Sequence, residues 1–230
     1  MDCELLSPAF SLPSGKRPRA LLFDFDLTLA DGSAWIVHCY RTVLARHGFA
    51  PRPDEDIRAT IGLTVEDSFA RLTGVADRGR LVELRTEYKA LCRPQMAAHT
   101  SLFPDAGRFL RAARAAGLRL AVVSTKETPT LRDSLARCGV EDLFDAVVGL
   151  DEVSAPKPSP EGIRFALARL GVAAEEAVYF GDNPVDGAAA EAAHVAYVGV
   201  AKGVHTAEAL AAFPHLAVVR SYDELLPQQA

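Results

Sequence analysis

Three aspartates follow a short apolar run near the start of the chain, in the stretch RALLFDFDLTLADG (residues 19–32). Asp24 and Asp26 stand two positions apart, so both side chains project to the same side at the end of a strand. Carboxylates this close repel one another, and burial makes the repulsion worse. A hard divalent cation such as Mg²⁺ removes the conflict, because it prefers carboxylate and carbonyl oxygens. The pattern indicates a metal site; a strand end with solvated acids is the alternative.

Three later segments supply further polar side chains, each after an apolar stretch of strand length. They are VVSTK, APKPSPEG and YFGDNPVDG, which begin at residues 122, 155 and 179. The carboxyl ends of parallel strands meet at one edge of a sheet, so we expect these side chains to share a crevice with the first two aspartates. The residues concerned are Ser124, Thr125, Lys126, Lys157, Asp182 and Asp186.

Strands and helices alternate from residue 118 onward. Apolar runs at residues 118–124, 144–150, 177–181 and 195–200 lack polar alternation, which is typical of parallel strands buried on both faces. Together with the opening run, they predict about five parallel strands. We therefore expect an α/β fold with a doubly wound parallel sheet and helices on either side.

The helices between these strands carry start and stop signals. Thr128 and Ser159 each precede a proline, and this order predicts an N-cap followed by the first helical position. Gly139 and Gly171 predict where the same two helices end.

Residues 32–100 follow a different pattern, with apolar side chains at helical spacing and no clear strand. Thr64 and Asp67 resemble a capping box, which predicts a helix start. The segment grows from the carboxyl end of the first strand, where such sheets bind ligands, so it is suited to act as a lid. The expected division is a leader (residues 1–18), a core (19–31 and 101–230) and an all-helical cap (32–100).

Composition narrows the class of protein. The chain has 230 residues, 49% of them hydrophobic, and a net charge of -5. Nucleic-acid binding usually shows as a basic face, so we expect no nucleic-acid partner. No run reaches the ~18 apolar residues that span a bilayer, so we expect no membrane partner. The four cysteines lack metal-ligand spacing, which favours reduced thiols in a cytoplasmic protein.

The conjunction of DFDLT, VVST, KPSP and GDNPVD, in this order and near these spacings, resembles the haloacid dehalogenase superfamily of phosphatases. The helical segment directly after the first motif is similar to the helical (C1-type) cap of that family, and the core to its Rossmann-like domain. Among its members, the chain looks most like the phosphoglycolate phosphatases. The resemblance implies a Mg²⁺-dependent enzyme that hydrolyses a small-molecule phosphate monoester.

The resemblance also implies catalytic roles. Asp24 resembles the nucleophile that forms an aspartyl-phosphate, a task open to a carboxylate because it is ionised at neutral pH. Asp26 resembles the general acid and base, which protonates the leaving oxygen and then activates water. Lys157 resembles the cation that balances the phosphoryl charge and holds the nucleophile.

The remaining site residues are implied in the same way. Ser124 and Thr125 resemble the phosphate-binding residues. Asp182 resembles a Mg²⁺ ligand, beside the carboxylate of Asp24 and the main-chain carbonyl of Asp26. Asp186 is expected to orient a metal-bound water or Lys157, and Thr28 to support the turn that leaves the strand. Lys126 has two interpretations, a contact to phosphate or substrate and a solvated helix start.

The same resemblance implies that a loop of the cap determines which substrate is accepted. We therefore place Thr60, Ile61 and Gly62 of that loop near the leaving group. Val65 stands where related hexose-phosphate mutases carry an arginine, which weakens a mutase hypothesis. Two further hypotheses are a phosphatase for a sugar-phosphate intermediate of a biosynthetic pathway and a non-catalytic phosphate-binding module.

Asp31 is expected to cap the first cap helix or to contact the hinge. We expect a monomer or homodimer.

Overall fold

The computed structural model describes residues 12–227. The strands are Ala20–Phe23 (β1), Ala30–Asp31 (β2), Ser101–Leu102 (β3), Arg119–Val123 (β4), Ala146–Val148 (β5), Ala177–Gly181 (β6), Ala196–Val200 (β7) and Ala217–Val219 (β8). Six of them form one parallel sheet in the order β5-β4-β1-β6-β7-β8. The predicted doubly wound α/β core is confirmed.

The sheet has one strand more than the sequence predicts. β8 is a three-residue strand that pairs with β7 at the edge of the described sheet. Its residues are only partly buried except for Val219. So short a run carries no periodic signal, because strand patterns need several residues to alternate or to stay apolar.

Helices cover both faces of the sheet. They are Ser33–Arg46 (α1), Asp54–Arg58 (α2), Val65–Thr73 (α3), Arg78–Met96 (α4), Pro104–Ala115 (α5), Thr128–Arg137 (α6), Glu161–Leu170 (α7), Pro184–Ala193 (α8) and Ala207–Leu210 (α9). Within β1, Leu21 and Phe23 join the apolar cluster under α5 and α6, whereas Ala20 and Leu22 join the cluster under α7 and α8. A strand so placed must be apolar at every position, which is why the opening run does not alternate.

Two predicted N-caps are wrong, while two predicted helix ends are confirmed. Thr128 is the first residue of α6 rather than its cap, because its hydroxyl is engaged by the neighbouring loop and donates to Glu152 Oε1 (2.9 Å). Pro160, not Ser159, occupies the N-cap position of α7. Gly139 and Gly171 follow their helices with φ of 66° and 61°, a left-handed conformation that glycine adopts without strain.

Helices α1 to α4 lie in the segment predicted to form the cap, and they share an apolar cluster that also contains Leu27 from the turn after β1. Thr64 caps α3 as predicted, since its hydroxyl accepts from the N–H of Asp67 (3.1 Å). The two chain crossings between cap and core lie side by side, because β2 and β3 pair as an antiparallel ribbon with Asp31 opposite Ser101. Asp31 Oδ1 accepts from the N–H of Ser33 at the start of α1 (2.8 Å), so it supports that helix end beside the hinge.

Residues 1–11 of the predicted leader lie outside the described residues. Leu12 is buried and packs with the cluster under α5 and α6. Among residues 12–227, no helix has both the length and the apolar character needed to cross a bilayer.

Candidate active site

The polar segments converge at the carboxyl ends of three adjacent strands. Phe23 at the end of β1 pairs in register with Val122 of β4 and with Phe180 of β6. Asp24, Ser124 and Asp182 leave their strands just beyond these positions. The central strand of the three therefore carries Asp24, flanked on each side by a loop of the predicted site.

A cluster of three buried aspartates lies at this edge. The three residues each contribute one carboxylate oxygen, and these three oxygens lie within 4.8 Å of one another; the residues are Asp24, Asp182 and Asp186. All three side chains are buried, with 3% or less of each residue exposed. Three acids in so small a buried volume need compensating positive charge.

Lys157 supplies part of that charge. Its Nζ lies 2.9 Å from Asp24 Oδ1 and 2.5 Å from Asp186 Oδ1. It also donates to the hydroxyl of Tyr179 (3.2 Å). One lysine faces three acids, so the cluster remains acidic with Lys157 in place.

The pKa values reflect this imbalance. Burial, and then the charges of Asp186 and Asp24, raise the pKa of Asp182 well above its usual range. Burial raises the pKa of Asp186 to about 6, against the opposing effect of Lys157. Burial alone would lower the pKa of Lys157, but the charges of Asp186 and Asp24 raise it well above its usual value. The lysine is thus held charged, and within residues 12–227 no second lysine or arginine forms an ion pair with these three acids.

The donor set fits a hard divalent cation such as Mg²⁺. Its oxygens are carboxylates, which Mg²⁺ prefers. Asp24 Oδ1 is buried and accepts no hydrogen bond from the described residues, although it lies in ion-pair range of Lys157. A cation held by Asp24 and Asp182 would stabilise the charged form of Asp182.

Two neighbours fix the direction of Asp182. Thr28 Oγ1 donates to Asp182 Oδ1 (2.7 Å), so Thr28 does more than the turn support expected of it. The left-handed residue of that turn is Leu27, with φ of 60°. Gly203 lies against the other carboxylate oxygen, and a side chain there would collide with it. The aspartate is therefore held in one orientation.

A second charged pair lies toward the cap. Lys126 Nζ is 3.0 Å from Asp26 Oδ2, and Asp26 Oδ1 is buried without a hydrogen-bond partner among residues 12–227. Burial raises the pKa of Asp26, and Lys126 opposes this shift. Ser124 Oγ accepts from the N–H of Lys126 (3.3 Å), which places Ser124 at the same loop.

A cavity of about 110 Å³ separates Asp26 from the cap. Thr60, Ile61 and Gly62 line it from the cap side, and Thr125 and Lys126 line it from the core side. The predicted specificity loop therefore faces the predicted acid across an open space. In contrast, Asp24, Asp182 and Asp186 lie deeper, outside the lining of this cavity.

Asn183 and Tyr179 contact the site but are not among the residues predicted from the sequence. Asn183 Nδ2 donates to the carbonyl of Ile61 (2.9 Å) and its Oδ1 accepts from Val185 N–H, so it joins the cap loop to the start of α8. Tyr179 contacts both Lys157 and Asp186 through its hydroxyl. The place of Asn183 inside the GDNPVD motif was the available signal. Tyr179 looks in sequence like an ordinary buried strand residue.

Comparisons with known proteins agree with this geometry. The family model described as haloacid dehalogenase-like hydrolase matches residues 21–200. Pyrophosphatase PpaX of Bacillus velezensis is 31% identical over 211 residues, which cover 92% of this chain and 96% of that protein. A phosphoglycolate phosphatase of Cereibacter sphaeroides is 31% identical over 209 residues, covering 89% and 94%.

A solved structure of a haloacid dehalogenase-like hydrolase from Bacteroides fragilis is similar as well. It superposes with a TM-score of 0.88 at 39% sequence identity, and the match covers 90% of this chain and 99% of that one. The likeness extends over both the sheet and the helical segment inserted after β1.

Proposed function

The chain belongs to the haloacid dehalogenase-like hydrolase family as one of its phosphatases, and on this basis we propose that it hydrolyses a small-molecule phosphate monoester through an aspartyl-phosphate at Asp24, with Mg²⁺ as cofactor. One observation carries the proposal. Lys157 Nζ lies 2.9 Å from Asp24, and an oxygen of Asp182, from a distant part of the chain, lies within 4.8 Å of one from Asp24. Nucleophile, counter-charge and metal ligand thus meet in one buried site.

The first half of the reaction forms the phosphoenzyme. A carboxylate oxygen of Asp24 attacks phosphorus, the new O–P bond forms, and the bond from phosphorus to the leaving oxygen breaks. Asp26 in its protonated form gives its proton to the leaving oxygen, so the product departs as a neutral alcohol. Burial raises the pKa of Asp26, which favours the protonated form that this step needs.

The second half regenerates the enzyme. Asp26, now a carboxylate, takes a proton from a water molecule as that water attacks phosphorus, and the bond between Asp24 and phosphorus breaks to release phosphate. Ser124 and Thr125 bind phosphate oxygens in this proposal, and Lys157 holds Asp24 and balances the phosphoryl charge. When bound by Asp24, Asp182 and the main-chain carbonyl of Asp26, Mg²⁺ would supply further charge neutralisation. Asp186 positions Lys157 through its 2.5 Å contact.

The division of the chain follows the same proposal. Residues 32–100 act as the cap, which closes over the site formed by residues 19–31 and 101–230. The names of the relatives suggest different substrates, pyrophosphate in one case and phosphoglycolate in the other. Phosphoglycolate and a sugar phosphate of a biosynthetic pathway are the two substrates that the family resemblance suggests, and the polarity of the cavity walls distinguishes both of them from an apolar ester. We place the reaction in the cytoplasm.

The proposal is tested by phosphate release from a generic aryl phosphate. We expect turnover with Mg²⁺, its abolition by EDTA, and its recovery when Mg²⁺ is restored. Asp24→Asn keeps the shape of the side chain but removes the nucleophile, so turnover should fall at least about 10³-fold. Asp133→Asn, an exposed change on α6, is the matched control and should leave turnover unchanged. Turnover that survives Asp24→Asn would exclude covalent catalysis at this residue.

A further inference from the structure

The cap side of the cavity is apolar, in contrast to its floor. On the floor, Asp26, Thr125 and Lys126 offer polar atoms to the phosphoryl group and the leaving oxygen. Opposite them, most wall residues carry apolar or aromatic side chains and lie on α1, α3, α4, the cap loop and one core loop, although Glu66, Lys89 and Arg93 line the same side. The apolar and aromatic residues are Ile36, Tyr40, Ile61, Leu63, Val65, Tyr88, Met96 and Leu150.

The few polar atoms in these walls are already engaged within the cap. Thr60 Oγ1 donates to the carbonyl of Ile57 (2.8 Å). The hydroxyl of Tyr40 is hydrogen-bonded to Ser68, and that of Tyr88 accepts from Cys92 Sγ (3.4 Å). A hydroxyl group of a bound substrate would give up its water and would have to displace one of these bonds, which is costly.

The charged side chains around the cavity are mostly paired as well. Glu66 bonds Arg85 (2.6 Å), and Lys89 bonds Glu127 (2.7 Å). Arg93 makes no ion pair within the described part of the chain, but it is exposed and therefore remains hydrated. A carboxylate on the leaving group would have to compete with existing ion pairs or rely on this solvated arginine.

From these walls we propose that the substrate is the phosphate ester of an apolar alcohol, and that the cavity discriminates against polyol and carboxylate leaving groups. The inference rests on the proposed phosphatase function and specifies its substrate class. The phosphoryl group faces the polar floor, and the carbon chain packs against the cap.

Matched substrate pairs test this inference on the full-length enzyme with Mg²⁺. n-Propyl phosphate and glycerol 1-phosphate differ only in two hydroxyl groups, and ethyl phosphate and phosphoglycolate differ in a carboxylate. We expect kcat/KM at least tenfold higher for the alkyl member of each pair, and a rise of about fourfold per methylene from ethyl to n-butyl phosphate. Polyols are the better leaving groups chemically, so intrinsic reactivity works against the expected order.

Val65→Thr gives a second measurement, because it exchanges a methyl group in the wall for a hydroxyl of the same size. The ratio of n-propyl to glycerol phosphate should fall about threefold or more. Val82→Thr makes the same exchange at an exposed position on α4 and should leave the ratio unchanged.

The outcomes separate the inference from the function it rests on. A ratio below tenfold in either pair, or equal effects of the two threonine variants, overturns the apolar substrate class while phosphatase activity stands. Absence of Mg²⁺-dependent phosphate release from every ester, including the generic aryl phosphate, overturns the proposed function itself.

Discussion

The core side and the cap side of the site are built on opposite principles. On the core side, buried charges hold one another: Lys157 contacts two acids and a tyrosine, and Asp182 is fixed by Thr28. The cap side is apolar and meets the core through contacts such as the Asn183–Ile61 hydrogen bond and the partly exposed Lys89–Glu127 pair. The charged side chains on the core side, where we propose that the reaction takes place, are therefore each held by several contacts. The cap side, where we propose that the substrate enters, meets the core through weaker contacts.

This difference has a physical reason. A phosphoryl transfer site works by preorganised charges, which lose their value if they move. A cap that admits substrate must instead separate from the core at small cost, since lids open in each turnover. We therefore expect changes on the core side to have large effects on both stability and chemistry, and changes at the cap contacts to have small effects on substrate binding.

The largest effect is expected at Lys157. Lys157→Met leaves Asp24 and Asp186 buried without their cation, which should lower the free energy of unfolding by about 3–5 kcal/mol and turnover by at least about 10³-fold. Urea unfolding without metal and phosphate release with Mg²⁺ measure the two effects. Adding Asp186→Asn should recover part of the stability but no turnover. A loss of stability below about 1 kcal/mol in Lys157→Met would show that the charges of Lys157, Asp24 and Asp186 do not hold the core side together.

Asp182→Asn comes next. It keeps the shape of the side chain but removes a charged ligand, so we expect the Mg²⁺ concentration for half-maximal turnover to rise at least about 100-fold. Titration of activity with Mg²⁺ measures this shift. Asp133→Asn again serves as the control. An unchanged Mg²⁺ requirement would remove Asp182 from the metal site.

Asn183→Ser tests the hydrogen bond between the cap loop and the core. Serine still caps α8, because its hydroxyl can accept from the N–H groups there, but it is too short to reach Ile61. Loss of one hydrogen bond of about 1 kcal/mol should raise KM about fivefold and lower the unfolding temperature by about 2–4 °C. A fall in turnover with constant KM would show that Asn183 acts on the chemistry instead.

The smallest effect is expected at Lys89. Lys89→Gln removes a partly exposed ion pair between cap and core, and such pairs contribute about 0–1 kcal/mol. KM should rise threefold or less, and 0.5 M salt should reduce the difference from the wild type. Arg108→Gln is the control, because it removes an exposed ion pair with Asp223 in which both residues belong to the core domain. This variant should leave KM unchanged. A tenfold effect of Lys89→Gln would place this lysine on the substrate.

Much of the core side could be predicted from the chain alone. Each of its motifs follows an apolar run, and parallel strands must end at one edge of the sheet, so local patterns were enough to bring Asp24, Ser124 and Asp182 together. The residue types then indicated the chemistry, because clustered acids and a lysine have few other uses in a buried crevice.

The lining of the cap side and the hydrogen bonds between distant residues could not be predicted in the same way. The apolar walls combine side chains from residue 36 to residue 150, and the bonds of Thr28 to Asp182 and of Asn183 to Ile61 join residues far apart in the chain. Local periodicity states which side chains are apolar, but not which of them face a cavity rather than the cap interior. Local patterns in the chain thus specify the strands, the order of the motifs and the candidate reacting groups. The shape and polarity of the space above them follow from the packing of cap on core, because that space lies between two surfaces and belongs to neither segment alone.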